Sequence, residues 1–298
     1  MSGNTFEKLK WPPSLYYNFA TDVIDLWASE EKNKVAMLWT DGYKEIKLTF
    51  KDISQQSQQF ANALAKLGCK KDDIVLLIMG REIQWWIVLT ACLRMGAVCS
   101  PGTTQLSKED IAYRVKAAGA TCIVTDDENA QKVDQVAEEC PTLKIKIKIG
   151  SKKKKWQHYD SIIAQEDPLF QKRKTKYSDR ALCYFTSGTT GYPKMTIHNH
   201  GYGYAHQITG KYWLDLRPED LHWNISDNGW AKAAYSSYFG PWNQGAALFI
   251  SNNPVFTPEE TIKTLKRYPI STMCGAPTVY RMLIQQDLTD FSSRHLRH

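Results

Sequence analysis

The sequence predicts an α/β protein of two subdomains, with mainly parallel sheets flanked by helices. Three observations predict it. Residues 74–79, Ile-Val-Leu-Leu-Ile-Met, form the short continuous apolar run that a strand buried on both faces requires. Strand-like and helix-like stretches alternate from residue 74 onward, and that alternation favours parallel strands covered by crossover helices. The 298 residues are 43% hydrophobic, with ten Trp, fifteen Tyr and ten Phe, which is enough for a large core and argues against disorder.

After the run at 74–79, residues 82–95 have helical character and residues 97–100 are strand-like, ended by Pro101-Gly102. Ser107 caps the next helix, with Asp110 three residues on completing an approximate capping box, and Gly119 closes it. Residues 121–125 read as a strand, and residues 127–139 as a helix stopped by Pro141. Residues 144–149 alternate lysine with apolar residues, the pattern of an exposed edge strand whose charges oppose pairing. Residues 181–185 restart the series as a central strand, and residues 202–213 read as a helix. Residues 246–250 and 270–274 read as strands. Residues 258–268 and 277–286 read as helices, each with Pro near its start.

Residues 150–180 are basic, polar and weakly periodic. The expected division is therefore a first α/β subdomain with an N-terminal arm over 1–150, a basic linker or loop over 151–180, and a second, incomplete subdomain over 181–298. The net charge of +7 is local: residues 144–176 hold eleven Lys or Arg against Asp160, Glu166 and Asp167. The remainder is near neutral, so a nucleic-acid face is a poor reading of the charge; Lys152-Lys153-Lys154-Lys155 reads as a solvated basic loop, with attraction to an anionic membrane surface or to phosphorylated ligands as the alternative. The seven cysteines are scattered without a C-x-x-C pair or a zinc pattern, as in a reducing compartment. Cys92, Cys122, Cys183 and Cys274 sit in apolar runs and read as small buried hydrophobes. The most apolar region, 74–99, is interrupted by Arg81, Glu82 and Arg94, so no transmembrane segment is expected.

The most informative stretch is Tyr184-Phe185-Thr186-Ser187-Gly188-Thr189-Thr190-Gly191-Tyr192-Pro193-Lys194. A buried strand runs into a Gly/Ser/Thr loop that ends in lysine. Gly188 and Gly191 let the backbone turn so that its N–H groups converge on an anion. The hydroxyls of Thr186, Ser187, Thr189 and Thr190 add donors, and Lys194 adds a mobile positive charge. Together they suit the phosphates of ATP. A surface turn has similar composition, but the strand before and the Pro-Lys after argue against it. A Walker A loop is excluded, because Met195 follows Lys194 where Ser or Thr is needed.

This stretch resembles the signature of the adenylate-forming superfamily. Asn18-Phe19-Ala20-Thr21-Asp22-Val23, Pro101-Gly102-Thr103, Asn224-Ile225-Ser226-Asp227-Asn228-Gly229-Trp230 and residues 275–283 resemble the medium-chain acyl-CoA synthetases in particular. On Lys194-Met195-Thr196 and Gly229-Trp230-Ala231-Lys232 the third member of that family is nearest. The resemblance implies the N-terminal domain of an acid-thiol ligase. Such an enzyme activates medium-chain fatty acids with ATP, Mg2+ and CoA through an acyl-adenylate. It implies phosphate binding by Thr186, Ser187, Gly188, Thr189, Thr190, Gly191 and Lys194. It also implies an acyl pocket at Trp230, Gly275, Ala276 and Pro277, with His198 as a possible pocket wall. Read without the resemblance, Trp230 is one of ten tryptophans and fits a core position, and Gly275-Ala276-Pro277 is a tight strand-to-helix turn. Where the family carries an acid before the first histidine after the loop, this chain has Ile197, which removes any role needing that carboxylate.

The family's later elements, a Gly-Glu loop, a Thr-Glu magnesium segment, a ribose-binding Asp and a mobile lysine-bearing domain, have no counterpart here, and the chain contains no Thr-Glu pair. No residue is therefore assigned as catalytic or as a metal ligand. The sequence departs from the family after Asp290, and the expectation is a truncated product whose second sheet keeps an unpaired edge. The alternative function is a non-catalytic form retaining partial nucleotide or acid binding. The resemblance implies the mitochondrial matrix. No Arg-rich presequence is visible, since the first arginine is Arg81, so a cytosolic location is the alternative. Oligomeric state and acyl chain length are not legible.

Overall fold

The computed structural model describes residues 14–171, 173–186, 191–253 and 255–298. The chain begins with a π-turn over Ala20–Ile24 that runs into α1 (Asp25–Glu30), followed by the hairpin β1 (Val35–Thr40) and β2 (Glu45–Thr49). Thr49 then caps α2 (Phe50–Lys66) in a reciprocal box with Asp52. The strand expected at 74–79 is β3 (Ile74–Ile78), buried throughout. Glu82 is the N-cap rather than the first turn of α3 (Ile83–Met95), and Gly96, at φ +73°, ends it.

β4 (Val98–Gly102) runs through Pro101, which pairs with Leu77 but lies beyond the Cys99–Leu182 contact with the strand on its other side. Ser107 and Asp110 form the expected box at the start of α4 (Lys108–Ala118), closed by Gly119 at φ +65°. β5 (Cys122–Thr125) precedes α5 (Asp127–Gln135), which passes into a 3-10 turn at Ala137–Glu139.

β6 (Ile145–Lys148) corrects the edge-strand expectation. It lies between β5 and the two-residue β7 (Gln157–His158). Lys148 is 1% exposed, its ammonium held by Asp127 and by Ser151 Oγ at 3.1 Å. The alternating lysines therefore do not guard an edge. Lys148 turns inward to a carboxylate, and Lys146 bonds Asp134 at 2.9 Å. Residues 152–155 are exposed, as expected of a solvated basic loop.

Beyond α6 (Tyr159–Ile163), β8 (Arg180–Thr186) and β9 (Lys194–Asn199) form an antiparallel hairpin. α7 (Gly201–Ile208) continues as a π-turn over Thr209–Trp213. β10 (Leu221–Asn224), α8 (Ala231–Ala234), α9 (Gly240–Asn243), β11 (Ala247–Ser251), α10 (Pro258–Arg267), β12 (Thr272–Cys274) and α11 (Pro277–Leu283) complete the order.

Among the described residues these strands form two sheets, ordered β7-β6-β5-β3-β4-β8-β9 and β12-β10-β11-β1-β2. Both are parallel apart from their hairpins. The sheets do not divide at residues 150 and 181. β8 crosses back to lie beside β4 in the first sheet, and β1 pairs with β11 in the second, Met37 opposite Leu248. The weakly periodic segment 150–180 is thus a connection inside the first sheet. All seven cysteines are buried and free.

The edge of β12 is not bare. Met273 N donates to His298 O at 2.9 Å and Arg297 N to Ser271 O at 2.9 Å, so residues after Asp290 lie along it.

Candidate functional site

The β8–β9 register sets Thr186 opposite Lys194, Tyr184 opposite Thr196 and Leu182 opposite His198. Strand side chains alternate, so Lys194, Thr196 and His198 share one face. Thr186 Oγ1 donates to Lys194 O at 3.4 Å across the mouth of the loop. Ser187, Gly188, Thr189 and Thr190 lie outside the described residues. Gly191 takes φ +96°, and a Cβ there would meet nothing within 4 Å, so its backbone conformation, not crowding, calls for glycine. α4 braces the descending arm. Tyr113 OH donates to Pro193 O at 2.9 Å, and its ring stacks on Tyr192 with centroids 4.9 Å apart. Lys194 is exposed, and among the described residues no carboxylate pairs with it. Its charge is free to meet an anion.

The 227–230 turn approaches from the second sheet. Asp227 Oδ1 accepts from Gly229 N at 2.7 Å, and Trp230 N donates to Asp227 O at 3.2 Å. A Cβ on Gly229 would fall 2.1 Å from Thr103 N and 2.3 Å from the Gly102 carbonyl carbon. The turn therefore lies backbone to backbone against the end of β4, and only glycine permits it. Trp230 is the N-cap of α8 and is 65% exposed. It is not a core tryptophan; Trp85, Trp86 and Trp242 hold those places. Two residues on, Lys232 Nζ donates to Gly275 O at 2.6 Å, which ties the 227–232 segment to Gly275-Ala276-Pro277. Ala276 is the N-cap and Pro277 the first residue of α11. Trp230 and the 275–277 turn thus stand together at the C-terminal ends of β10 and β12, where open parallel sheets place their ligands.

His198 is half-buried, and burial lowers its pKa from the usual 6.5. It reaches Trp230's helix through rings absent from the sequence expectation. His198 packs on Tyr202 at 4.2 Å, Tyr202 on His206 at 4.3 Å, and His206 on Tyr235 at 5.5 Å, just past α8. The signal was available: Tyr202 and His206 are four apart on one helix face, and His206 and Thr209 are three apart, with Nδ1–Oγ1 at 2.7 Å. Burial lowers the pKa of His206 to about 4 and of His200 to about 4, so both are neutral at physiological pH.

Arg81 was also missed. Its Nη2 donates to Ile225 O at 2.9 Å, and it attracts Asp227. It borders a cavity of about 410 Å³ at the C-terminal ends of β1 and β11, lined by Trp223, Ile225, Phe256 and Tyr268 among others. That cavity contains none of the expected site residues. No group of three or more His, Cys, Asp or Glu among the described residues is arranged to hold a metal ion.

A family model described as AMP-binding enzyme matches residues 24–298. The chain is 41% identical over 292 residues to acyl-coenzyme A synthetase ACSM3, mitochondrial, of Homo sapiens, covering 95% of this chain and 50% of that protein. It is 41% identical over 293 residues to acyl-coenzyme A synthetase ACSM4, mitochondrial, of Rattus norvegicus, with the same coverage. The crystal structure of the anthranilate CoA ligase AuaEII in complex with anthranoyl-AMP superposes with a TM-score of 0.88 at 22% identity, over 96% of this chain and 55% of that one. At that identity the likeness is one of fold. The chain spans about half the length of the curated relatives it matches.

Proposed function

The chain belongs to the AMP-binding enzyme family, and on that premise we propose that it supplies the phosphate loop and one acyl-pocket wall for activating a medium-chain fatty acid to its acyl-CoA. The observation that carries this reading is the braced β8–β9 hairpin. It presents an exposed Lys194, without a carboxylate partner among the described residues, on the same strand face as Thr196 and His198. ATP supplies the electrophilic α-phosphorus that the carboxylate attacks to form an acyl-adenylate and pyrophosphate. Lys194 and the 186–191 loop hold the β- and γ-phosphates, an electrostatic and positioning role. Trp230 offers a flat apolar face to the alkyl chain, and the small residues Gly275 and Ala276 leave room beside it. The neutral His198 closes the side nearest the loop. Mg2+ would screen the phosphate charge, and CoA would take the acyl group. Among the described residues nothing is arranged as a metal cage, so no magnesium ligand is assigned. Relatives named mitochondrial support the matrix as the location, with the cytosol as the alternative.

Calorimetric titration of the chain with ATP tests the reading. Binding that Lys194→Ala abolishes, with an unchanged unfolding curve, supports it. Equal affinity in both proteins would overturn it. ATP binding without acyl-CoA formation from octanoate, ATP, magnesium and CoA is the expected outcome for the 298-residue polypeptide by itself. That result would favour the non-catalytic binding form for this polypeptide.

A further inference from the structure

We propose that the cavity beside Arg81 is a ligand site in its own right, and that it takes a small monocarboxylate with an apolar body, the carboxylate on the Arg81 guanidinium and the body along Trp223, Ile225, Phe256 and Tyr268. The cavity, about 410 Å³, lies between the C-terminal ends of β1 and β11 and the first turns of α10. That volume falls at the small end of the range for small-molecule sites, roughly 300–1,000 Å³.

The wall is apolar and fixed from behind. Trp223 and Tyr268 are buried, and both rings pack on Phe249, with centroids 5.4 and 4.6 Å away. Tyr268 OH donates to Glu45 Oε1 at 2.6 Å, which holds the ring's far end. A preformed apolar wall with a few placed polar groups is the usual build of a small-molecule site.

The charges select a monoanion. Three cations line the cavity: Arg81, Lys263 and Arg267. Lys263 is paired with Glu260 at 2.7 Å and Arg267 with Glu45 at 3.0 Å. Arg81 has only carbonyls, Ile225 O on Nη2 at 2.9 Å and Asn253 O on Nη1 at 3.3 Å. Two of its five N–H groups are thus engaged among the described residues. Asp227 attracts it from beyond ion-pair distance, and the Asp227 Oδ1 atom already accepts from Gly229 N. Partial burial works against the guanidinium's charge, and a buried charge without a counter-charge is costly. A ligand carboxylate would relieve that cost through the two parallel bonds a guanidinium offers. Asp41 also lines the cavity, with its carboxylate on the amides of Tyr43 and Lys44 at 3.0 and 2.9 Å. With Glu260 it would repel a polyphosphate.

The test is photolabelling of the full chain with octanoate that carries a diazirine near its methyl end, followed by peptide mapping. Saturable label is expected within residues 251–268. Octanoate should suppress it at concentrations where neutral octanamide does not. Arg81→Gln should reduce it at least about tenfold, the loss of one charge-assisted pair. Thr264→Trp fills the cavity from α10 and leaves Arg81 in place, so it should do the same if Arg81→Gln misfolds. Trp230→Ala should leave this label unchanged. The proposed acyl pocket is read separately in the same map. Label confined to residues 230–235 and 275–280 would overturn the second site and uphold the acyl pocket, and label confined to 251–268 would do the reverse. Unsaturable label at 251–268, equal competition by octanamide, or full label in Thr264→Trp would also overturn the proposal.

Discussion

Gly229→Ala is the sharpest test of how the site is assembled. The new Cβ would lie 2.1 Å from Thr103 N and 2.3 Å from the Gly102 carbonyl carbon, against ordinary van der Waals contact beyond 3.4 Å. The shortfall exceeds 1 Å and is met by backbone on both sides. Gly102 cannot withdraw, because it pairs with Ile78 in the middle of the first sheet. The turn itself must move and carry Trp230 with it. Overpacking of this kind costs about 1–3 kcal/mol, and rigid backbone on both sides places this case toward the upper end. Gly80→Ala is the matched control at the same junction. Its Cβ would find only Asn252 Oδ1, at 3.9 Å, and it should be neutral or stabilising by up to ~1 kcal/mol. Thermal unfolding separates the two, since each 1 kcal/mol moves Tm by roughly 2–4 °C in proteins approaching this size. Gly229→Ala should therefore melt several degrees below Gly80→Ala and lose affinity for the fatty acid. Coincident melting curves would refute the close-approach argument.

Tyr113→Phe removes the bond to Pro193 O and keeps the ring stack on Tyr192, so it should cost about 1 kcal/mol and weaken ATP binding a few-fold, read by calorimetry. Trp230→Ala should leave stability within about 0.5 kcal/mol, because the side chain is 65% exposed, while altering acyl chain-length preference in a form of the enzyme that turns over. Burial holds the pKa of His200 and of His222 at about 4, below the unfolded value near 6.5. The unfolded chain therefore binds more protons between those values. Stability is full above about pH 6.5 and is lost as pH falls toward 4, by about 3 kcal/mol for each histidine. Urea midpoints at pH 7.5 and 5.0 should differ in wild type and differ less in His222→Asn; equal wild-type midpoints would contradict this.

The sequence by itself determined what depends on neighbours within a turn or a strand. Ser107 with Asp110, Gly119 after α4, the apolar run of β3, and Pro277 opening α11 were all legible, because caps and periodicity act over a few residues. Thr49 with Asp52 carries the same local signal at the start of α2. The resemblance of the stretch from Tyr184 to Lys194 to a family was legible for the same reason. Tertiary structure alone decided which strands became neighbours. Nothing local to β1 says that Met37 will face Leu248, or local to β8 that Leu182 will face Cys99 across the presumed linker. Parallel pairing is a contact between segments far apart in the chain, so its partner is not written in either segment. The same holds for side chains. Alternation set Lys148 on a strand, but only the position of Asp127 made its burial tolerable. Trp230 could be core or pocket until the backbone of β4 met Gly229 and left the indole in the open.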